Sequence, residues 1–395
     1  MNWPKNRTPD HLRASDAAAG FEVADDFEPF NQMNDIFTRA MWDDRVRSAD
    51  TDGFFASYRM EAAARRGEGF GPRDFALRNA AWLVSDIISN RAADDGLREG
   101  FQGAIRNDTP VAARSVDLAP PEDEAAEIKR LARFFGADLC GITHFDPRWH
   151  YTHRPDTKTM EPVPNTLPDG LTHVIVMGHE MDKTLVDTYP SALAGAATGR
   201  EYSHEAAIVM QLAAYIRNLG FEAVASMNDT ALVIPYAIKA GLGEYGRNQM
   251  VLTPEFGPRV RFSKIFTNMP LAVDVVRELG LTRYCYDCTI CADACPPKAL
   301  PKGAPDFGGN TANGSPSTQT GVKKWSANCE ACFGYWAKIK TDCAICMRVC
   351  PFNHHNQGSL WYRLATSRWR RIARWWAARH APARLKPSNW WAGGG

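Results

Sequence analysis

The sequence predicts an α/β (α+β) domain followed by a smaller, cysteine-rich domain of ferredoxin-like type. Three observations support this. From about residue 120 to 275, apolar runs of strand length alternate with stretches of helical periodicity. Nine of the ten cysteines crowd between Cys285 and Cys350. Those cysteines also repeat one spacing twice, the signature of paired clusters. At 395 residues and 45% hydrophobic content, the chain can bury a full core beside a small second domain, because buried fraction rises with length.

Residues 1–118 mix short amphipathic pieces with Gly and Asp turns and offer no motif that carries chemistry. After Pro120-Pro121, Glu122 to Phe135 sets Ile128, Leu131 and Phe134/Phe135 on one face, and Gly136 is fit to stop the helix. A strand over Ala137 to Thr143 is expected next, and another in the apolar run Thr172 to Met177. Ser203 to Leu219 reads as a helix, with Ile208, Leu212, Tyr215/Ile216 and Leu219 in register before Gly220. Phe221 to Ser226 and Arg259 to Thr267 read as further strands.

The chain thus divides into an N-terminal region (1–118), the α/β domain (119–274), the cysteine domain (275–358) and a tail (359–395). Within the cysteine domain, residues 301–322 are dense in Gly, Pro, Ser, Thr and Asn and mark a long loop. The tail carries six tryptophans among many arginines, with Trp361, Leu364/Ala365, Trp369, Ile372 and Trp376 near helical spacing. It reads as a basic amphipathic helix packed on the core, with a reductase or a membrane surface as the other candidates.

With 46 basic and 45 acidic residues the net charge is +1, which gives no overall bias towards nucleic acid and favours a small substrate. The first residues show neither an apolar stretch of signal-peptide length nor twin arginines, and no window approaches the roughly 18 to 20 apolar residues that span a bilayer. A soluble, cytoplasmic protein is expected. In a reducing compartment such clustered thiols serve as metal ligands instead of disulfides.

Cys285, Cys288, Cys291 and Cys295-Pro296 form the run C-x2-C-x2-C-x3-C-P, in which three thiolates hold one cluster and the fourth reaches a second. Cys343, Cys346 and Cys350-Pro351 repeat its second half, so Cys350 should complete the first cluster and Cys295 the second. Spacing alone leaves the eighth ligand open between Cys329 and Cys332, since loops of either length close at similar entropy. Tetrahedral zinc sites seldom show this crossed arrangement. Cys140, alone on a predicted strand, reads as a buried apolar residue. Two clusters alone would make an electron carrier, but the large preceding domain suggests that electrons end at a reaction centre in the same chain.

The segment PYAIKAGLGEYGRNQMVLTPEFGPRVRFSKIFTNMPL, Pro235 to Leu271, followed by CYDCTICADACP and DCAICMRVCPFNH, resembles the reductive dehalogenases over roughly residues 120 to 355. The resemblance implies a nitroreductase-like, cobalamin-binding domain ahead of the two-cluster domain, with one cluster near the corrinoid. It implies Gly243, Tyr245, Arg247 and Asn248 as cofactor-binding residues. It also favours Cys332 as the eighth ligand, because Cys332-Phe333 and Tyr335-Trp336 match the family's single Cys before an aromatic pair. The Asp-x-His-x-x-Gly motif is absent, as in a family that holds cobalamin without a histidine ligand.

By the same resemblance, Tyr202 in GREYSH is the catalytic proton donor, at a predicted helix start where positive potential favours a phenolate. A cation beside it would lower its pKa. Lys264 and Arg261 are the candidates; three positions apart on one strand, they should face opposite ways, and family members of the cytoplasmic type favour Lys264. Asn228 matches a polar position beside the reacting centre. Read without the resemblance, these are a packing residue, a solvated strand end and a turn residue, while His173, His179 and His204 read as ordinary polar positions. The implied substrate is a small halogenated aromatic, a bromo- or chlorophenol, with electrons from a ferredoxin or flavodoxin and its reductase. Two rivals predict other features: an epoxyqueuosine reductase would carry Trp-Ile-Gly-Lys-Asn where Glu244 to Asn248 stand and an Asp as its acid, and a non-catalytic corrinoid or electron carrier would not need Tyr202 with a cation.

Overall fold

A computed structural model describes residues 9–58, 67–227, 229–308 and 314–393. In the N-terminal region the longest element is α1 (Pro72–Asn90), which has Pro72 at its first position and buries Phe75, Arg78 and Trp82. Helix α2 (Pro121–Phe135) follows the double proline and ends at Gly136, whose φ of 115° is left-handed. Its acidic first turn, Glu122 to Glu124, complements the helix dipole. Ile128 is buried, as expected, but Phe134 points to solvent.

Strands β1 (Leu139–His144) and β2 (His173–Glu180) come next, then helix α3 (Gly195–Asn218), strand β3 (Ala223–Ser226), helix α4 (Val233–Lys239) and strand β4 (Val260–Thr267). The sheet runs β1-β2-β4-β3 and every neighbouring pair is antiparallel, so the domain is α+β. The register sets Cys140 opposite Met177, Ile175 opposite Ile265, and Ser226 opposite Lys264. Ile175, Met177 and Ile265 pack towards α2 and α3, whereas Val174, Val176, Phe262 and Phe266 pack towards α4. Burial on both faces explains why β2 reads as a continuous apolar run instead of an alternating one. Cys140 lies in the first of these cores.

Helix α3 begins at Gly195, well before the predicted Ser203. Its first turns, GAATGR, offer small residues and no apolar periodicity, and it is packing against α1 that makes them helical. A Cβ at Gly199 would lie 2.4 Å from the Trp82 indole, so a glycine is needed where the two helices cross.

The cysteine domain contains α5 (Leu281–Asp287) and α6 (Cys329–Ile339) among its helices. The loop 301–322 lies against the N-terminal region: Arg39 Nη1 donates to Ser315 Oγ (3.0 Å) and Ser317 Oγ (2.8 Å), and Val322 pairs with Val23. Among its described residues the tail forms three helices, α7 (Leu360–Ala365), α8 (Arg370–Arg379) and α9 (Pro387–Trp391), instead of one. Trp361 is buried against Tyr284 and Phe352, and the last residues fold back, with Trp391 Nε1 donating to Asp74 at 2.9 Å.

Candidate active site and cluster-binding domain

A cavity of about 1460 Å³ opens where the N-terminal region, the sheet domain and the cysteine domain meet. Pockets for drug-sized ligands usually measure about 300–1,000 Å³, so this one has room for a large cofactor together with a small substrate. Trp82, Phe101, Tyr202, Tyr245, Arg261 and Trp336 are among the residues on its wall.

Tyr202 sits about two turns inside α3 and not at its start, so the helix dipole gives it no special field, contrary to the sequence expectation. Its ring is stacked with Trp82 (4.6 Å between centroids) and Phe101 (5.2 Å). The Arg261 guanidinium carbon stands 4.0 Å from the Tyr202 ring centre. Burial works against the Arg261 charge, yet Tyr202, Glu205 and Asp342 hold its pKa above the ordinary value. The cation beside Tyr202 is therefore Arg261, and the preference for Lys264 is corrected. Strand alternation is the reason: Arg261 shares the α3 side with Ile265.

Lys264 is wholly buried and donates to the carbonyls of Met227 (2.7 Å) and Asp229 (2.8 Å). Burial lowers its pKa to about 8, opposed by Asp229 and Glu205. Lys264 thus anchors the turn on either side of Asn228, which itself lies outside the described residues. Glu205, one turn after Tyr202, is also wholly buried, and neither carboxylate oxygen has a hydrogen-bond partner among the described residues. Burial raises its pKa to about 8. His179 shares a 2.9 Å hydrogen bond with Ser263, an ordinary buried polar pair.

Of the four expected cofactor-binding residues, Tyr245 reaches the cavity wall, where its hydroxyl donates to the Trp325 carbonyl at 3.0 Å. Gly243 has a packing role, since a Cβ there would lie 2.3 Å from the Leu252 carbonyl oxygen. Arg247 points away into the cysteine domain and donates to the carbonyls of Cys285 (2.8 Å), Cys288 (2.8 Å), Pro301 (2.9 Å) and Gly303 (2.8 Å). It organises the first cysteine loop and is not among the residues on the cavity wall. Asn248 is buried with both side-chain polar atoms unpartnered among the described residues.

Burial raises the pKa of the thiols of Cys285, Cys291 and Cys350, and the mutual charge of Cys285, Cys288, Cys291 and Cys350 raises them further. Cys332, Cys343 and Cys346 are raised in the same way, by burial and then by a set that includes Cys295. Cys329 lies at the edge of this second set; its thiol faces the carbonyls of Ser317 and Ala327, and it feels Thr318, Asp35 and Lys324. Metal ligation needs the thiolate form, and a bound metal would supply the positive charge that offsets this burial and mutual repulsion. Sequence neighbours of both sets line the cavity: Tyr286 follows Cys285, Trp336 stands one turn after Cys332 in α6, and Asp342 precedes Cys343.

Much of the remaining wall comes from the N-terminal region, including Phe30, Gln32, Tyr58, Trp82, Arg98 and Phe101. The sequence offered no signal for these except their aromatic content. Glu244 was also passed over; its carboxylate accepts from the backbone N–H groups of Gly280 (3.0 Å) and Thr282 (2.7 Å), and so ties the cavity wall to α5.

An α+β domain joined to a double-cluster iron-sulfur domain is the class that fold and cysteines define. Residues 284–353 match the 4Fe-4S double cluster binding domain, and residues 155–271 match the reductive dehalogenase subunit family. The chain is 32% identical over 273 residues to the tetrachloroethene reductive dehalogenase of Sulfurospirillum multivorans, covering 63% of this chain and 53% of that one. It is 33% identical over 272 residues to the enzyme of the same name from Dehalobacter restrictus, covering 59% and 48%. A solved reductive dehalogenase, described in terms of B12-dependent dehalogenation, superposes with a TM-score of 0.69 at 22% identity, over 91% of this chain and 47% of that one. The family these matches support is that of the reductive dehalogenases. The chain spans about half the length of the curated relatives it matches.

Proposed function

We propose that this protein is a reductive dehalogenase of the cytoplasmic, non-exported type, with a corrinoid in the cavity and two 4Fe-4S clusters, that removes halide from a small halogenated phenol. The observation that carries this reading is Tyr202 under the Arg261 guanidinium, on the wall of a cavity larger than a small substrate needs and lined in part by sequence neighbours of both cysteine sets. Cys285, Cys288, Cys291 and Cys350 are proposed to hold one cluster, and Cys295, Cys332, Cys343 and Cys346 the other. Tyr245 and the aromatic wall would hold the corrinoid, in keeping with the B12 dependence described for the structural neighbour.

In the reaction a carbon–halogen bond breaks, two electrons and one proton enter, and halide leaves. The corrinoid, when bound, supplies the low-potential centre that passes the electrons to that bond. The electrons would come from a ferredoxin or flavodoxin and its reductase. Tyr202 gives its hydroxyl proton to the carbon, and Arg261 stabilises the phenolate left behind. Lys264 holds the carbonyls of Met227 and Asp229, and Asn228 is proposed as a polar residue of the site. The stacked rings of Trp82 and Phe101 fix the Tyr202 ring and keep water from it.

A cation on the cavity wall suits an anionic phenolate, and a solved neighbour is a complex with 3-bromo-4-hydroxybenzoic acid. The test is anaerobic protein loaded with corrinoid and iron, reduced chemically and offered a bromophenol or tetrachloroethene, with halide measured. Bromide release that depends on the corrinoid is the expected result. No halide from either compound would overturn the reading, and release from tetrachloroethene alone would overturn the phenol preference.

A further inference from the structure

The tail contains three buried or bonded tryptophans and three whose rings face outward. Trp361 packs in the cysteine-domain core, Trp390 Nε1 donates to Thr184 at 3.1 Å, and Trp391 Nε1 donates to Asp74. Helix α8 does the reverse of what a core-facing helix does. It turns its small residues Ala373 and Ala377 to the protein, and leaves Trp369 (50% exposed), Ile372 (53%), Trp375 (56%) and Trp376 (38%) outside. An exposed apolar stripe of this kind marks a contact surface.

Charge narrows what that contact can be. Residues 360–395 contain seven arginines, one lysine and no acidic residue. Asp287 of α5 engages Arg370 at 2.6 Å and Arg371 only at 3.9 Å, and Arg371 keeps 83% of its side chain exposed. Two exposed rings carry a guanidinium of their own: Arg379 stands 4.3 Å from the Trp375 ring centre and Arg368 stands 5.0 Å from that of Trp369. Cation and ring are thus presented side by side on one face. A second copy of the same patch would be repelled by like charge. An acidic protein would satisfy the arginines but not a stripe of indole and Ile side chains. A layer of anionic headgroups over an apolar interior accepts both.

We infer that α8 docks the protein on a membrane surface rich in anionic lipid, with the indoles at the headgroup–acyl boundary and the arginines among the phosphates. The helix lies on the bilayer and does not cross it, since no helix among the described residues is long and apolar enough to span. Asp287 and Arg370 then place the Cys285–Cys291 loop close to that surface.

Sedimentation of the full chain with vesicles tests this without any loaded cofactor. With phosphatidylglycerol vesicles at low salt, binding should exceed that to phosphatidylcholine by about tenfold or more, given about 1 kcal/mol per arginine near an anionic surface, and should weaken with added salt. Trp369→Ser combined with Trp375→Ser and Trp376→Ser, all exposed sites, should lower binding by about tenfold with unchanged circular dichroism. Arg371→Glu with Arg379→Glu should do the same through charge. The inference is overturned if the full chain stays in the supernatant with phosphatidylglycerol, if it binds phosphatidylcholine equally, or if the folded tryptophan variant binds as the parent does.

Discussion

Replacing Glu205 by Gln should change how stability depends on pH, because the buried carboxyl is neutral in the folded protein where it would be ionised in the unfolded chain. Burial raises it from the ordinary 4.5 to about 8, against the pull of Arg261 and Lys264. Between those two values the folded state binds the extra proton, so stability falls as pH rises from about 4.5 through 8 and levels off above. At about 1.4 kcal/mol per pH unit, the span corresponds to roughly 5 kcal/mol at most. Lys264, lowered to about 8, acts at higher pH and with the opposite sign: the unfolded chain keeps its proton up to about 10.5, so stability rises from pH 8 upward. Gln removes only the first dependence. Urea unfolding of both proteins, from identical anaerobic preparations at pH 5 to 9, should show a gap that is smallest at pH 5 and reaches a few kcal/mol in favour of the variant by pH 8. A gap independent of pH, or one favouring the parent as pH rises, would mean that Glu205 is ionised in the fold as the partner of Arg261 or Lys264.

Loaded protein should hold about eight irons, and Cys332→Ala should lower this to about four, whereas Cys329→Ala should keep eight; iron analysis after anaerobic reconstitution decides. Tyr202→Phe keeps the stacked ring and removes the proton, so corrinoid and iron content should survive while halide release falls by about 100- to 10,000-fold. Arg261→Gln should slow halide release with little loss of stability, while Lys264→Gln should mainly lower the melting temperature, because the Met227 and Asp229 carbonyls lose their buried donor. Trp361→Ala should destabilise the cysteine domain by about 3–5 kcal/mol, read by denaturant unfolding.

Legibility followed the range over which each signal acts. The cysteine run and the β2 and β4 strands could be read because covalent spacing and local apolar runs carry their own information. The start of α3 could not, because Gly195 to Gly199 are helical only through their fit against Trp82, a residue more than a hundred positions earlier. The N-terminal wall of the cavity was invisible for the same reason: Phe101 acquires its role only when it meets Tyr202 across the fold. Arg247 shows another limit, since a motif names a residue but not the direction of its side chain, and here that side chain reaches the cysteine loop.

The choice between Arg261 and Lys264 shows how a local rule can decide a site once the neighbouring faces are known. Alternation along β4 sends Ile265 towards α3 and sends Phe262 and Phe266 towards α4. Arg261 has the parity of Ile265, so it arrives over Tyr202, while Lys264 has the parity of the two phenylalanines and finds the carbonyls of Met227 and Asp229. To exchange the two, β4 would have to slip by one residue against both β2 and β3, which would turn Ile265 and Phe266 to the wrong cores at once. The pairing on both sides of β4 therefore locks the cation that Tyr202 receives. It also makes that cation a guanidinium, which stays charged when buried and whose plane can stack on a phenol ring, where an ammonium would be prone to lose its proton.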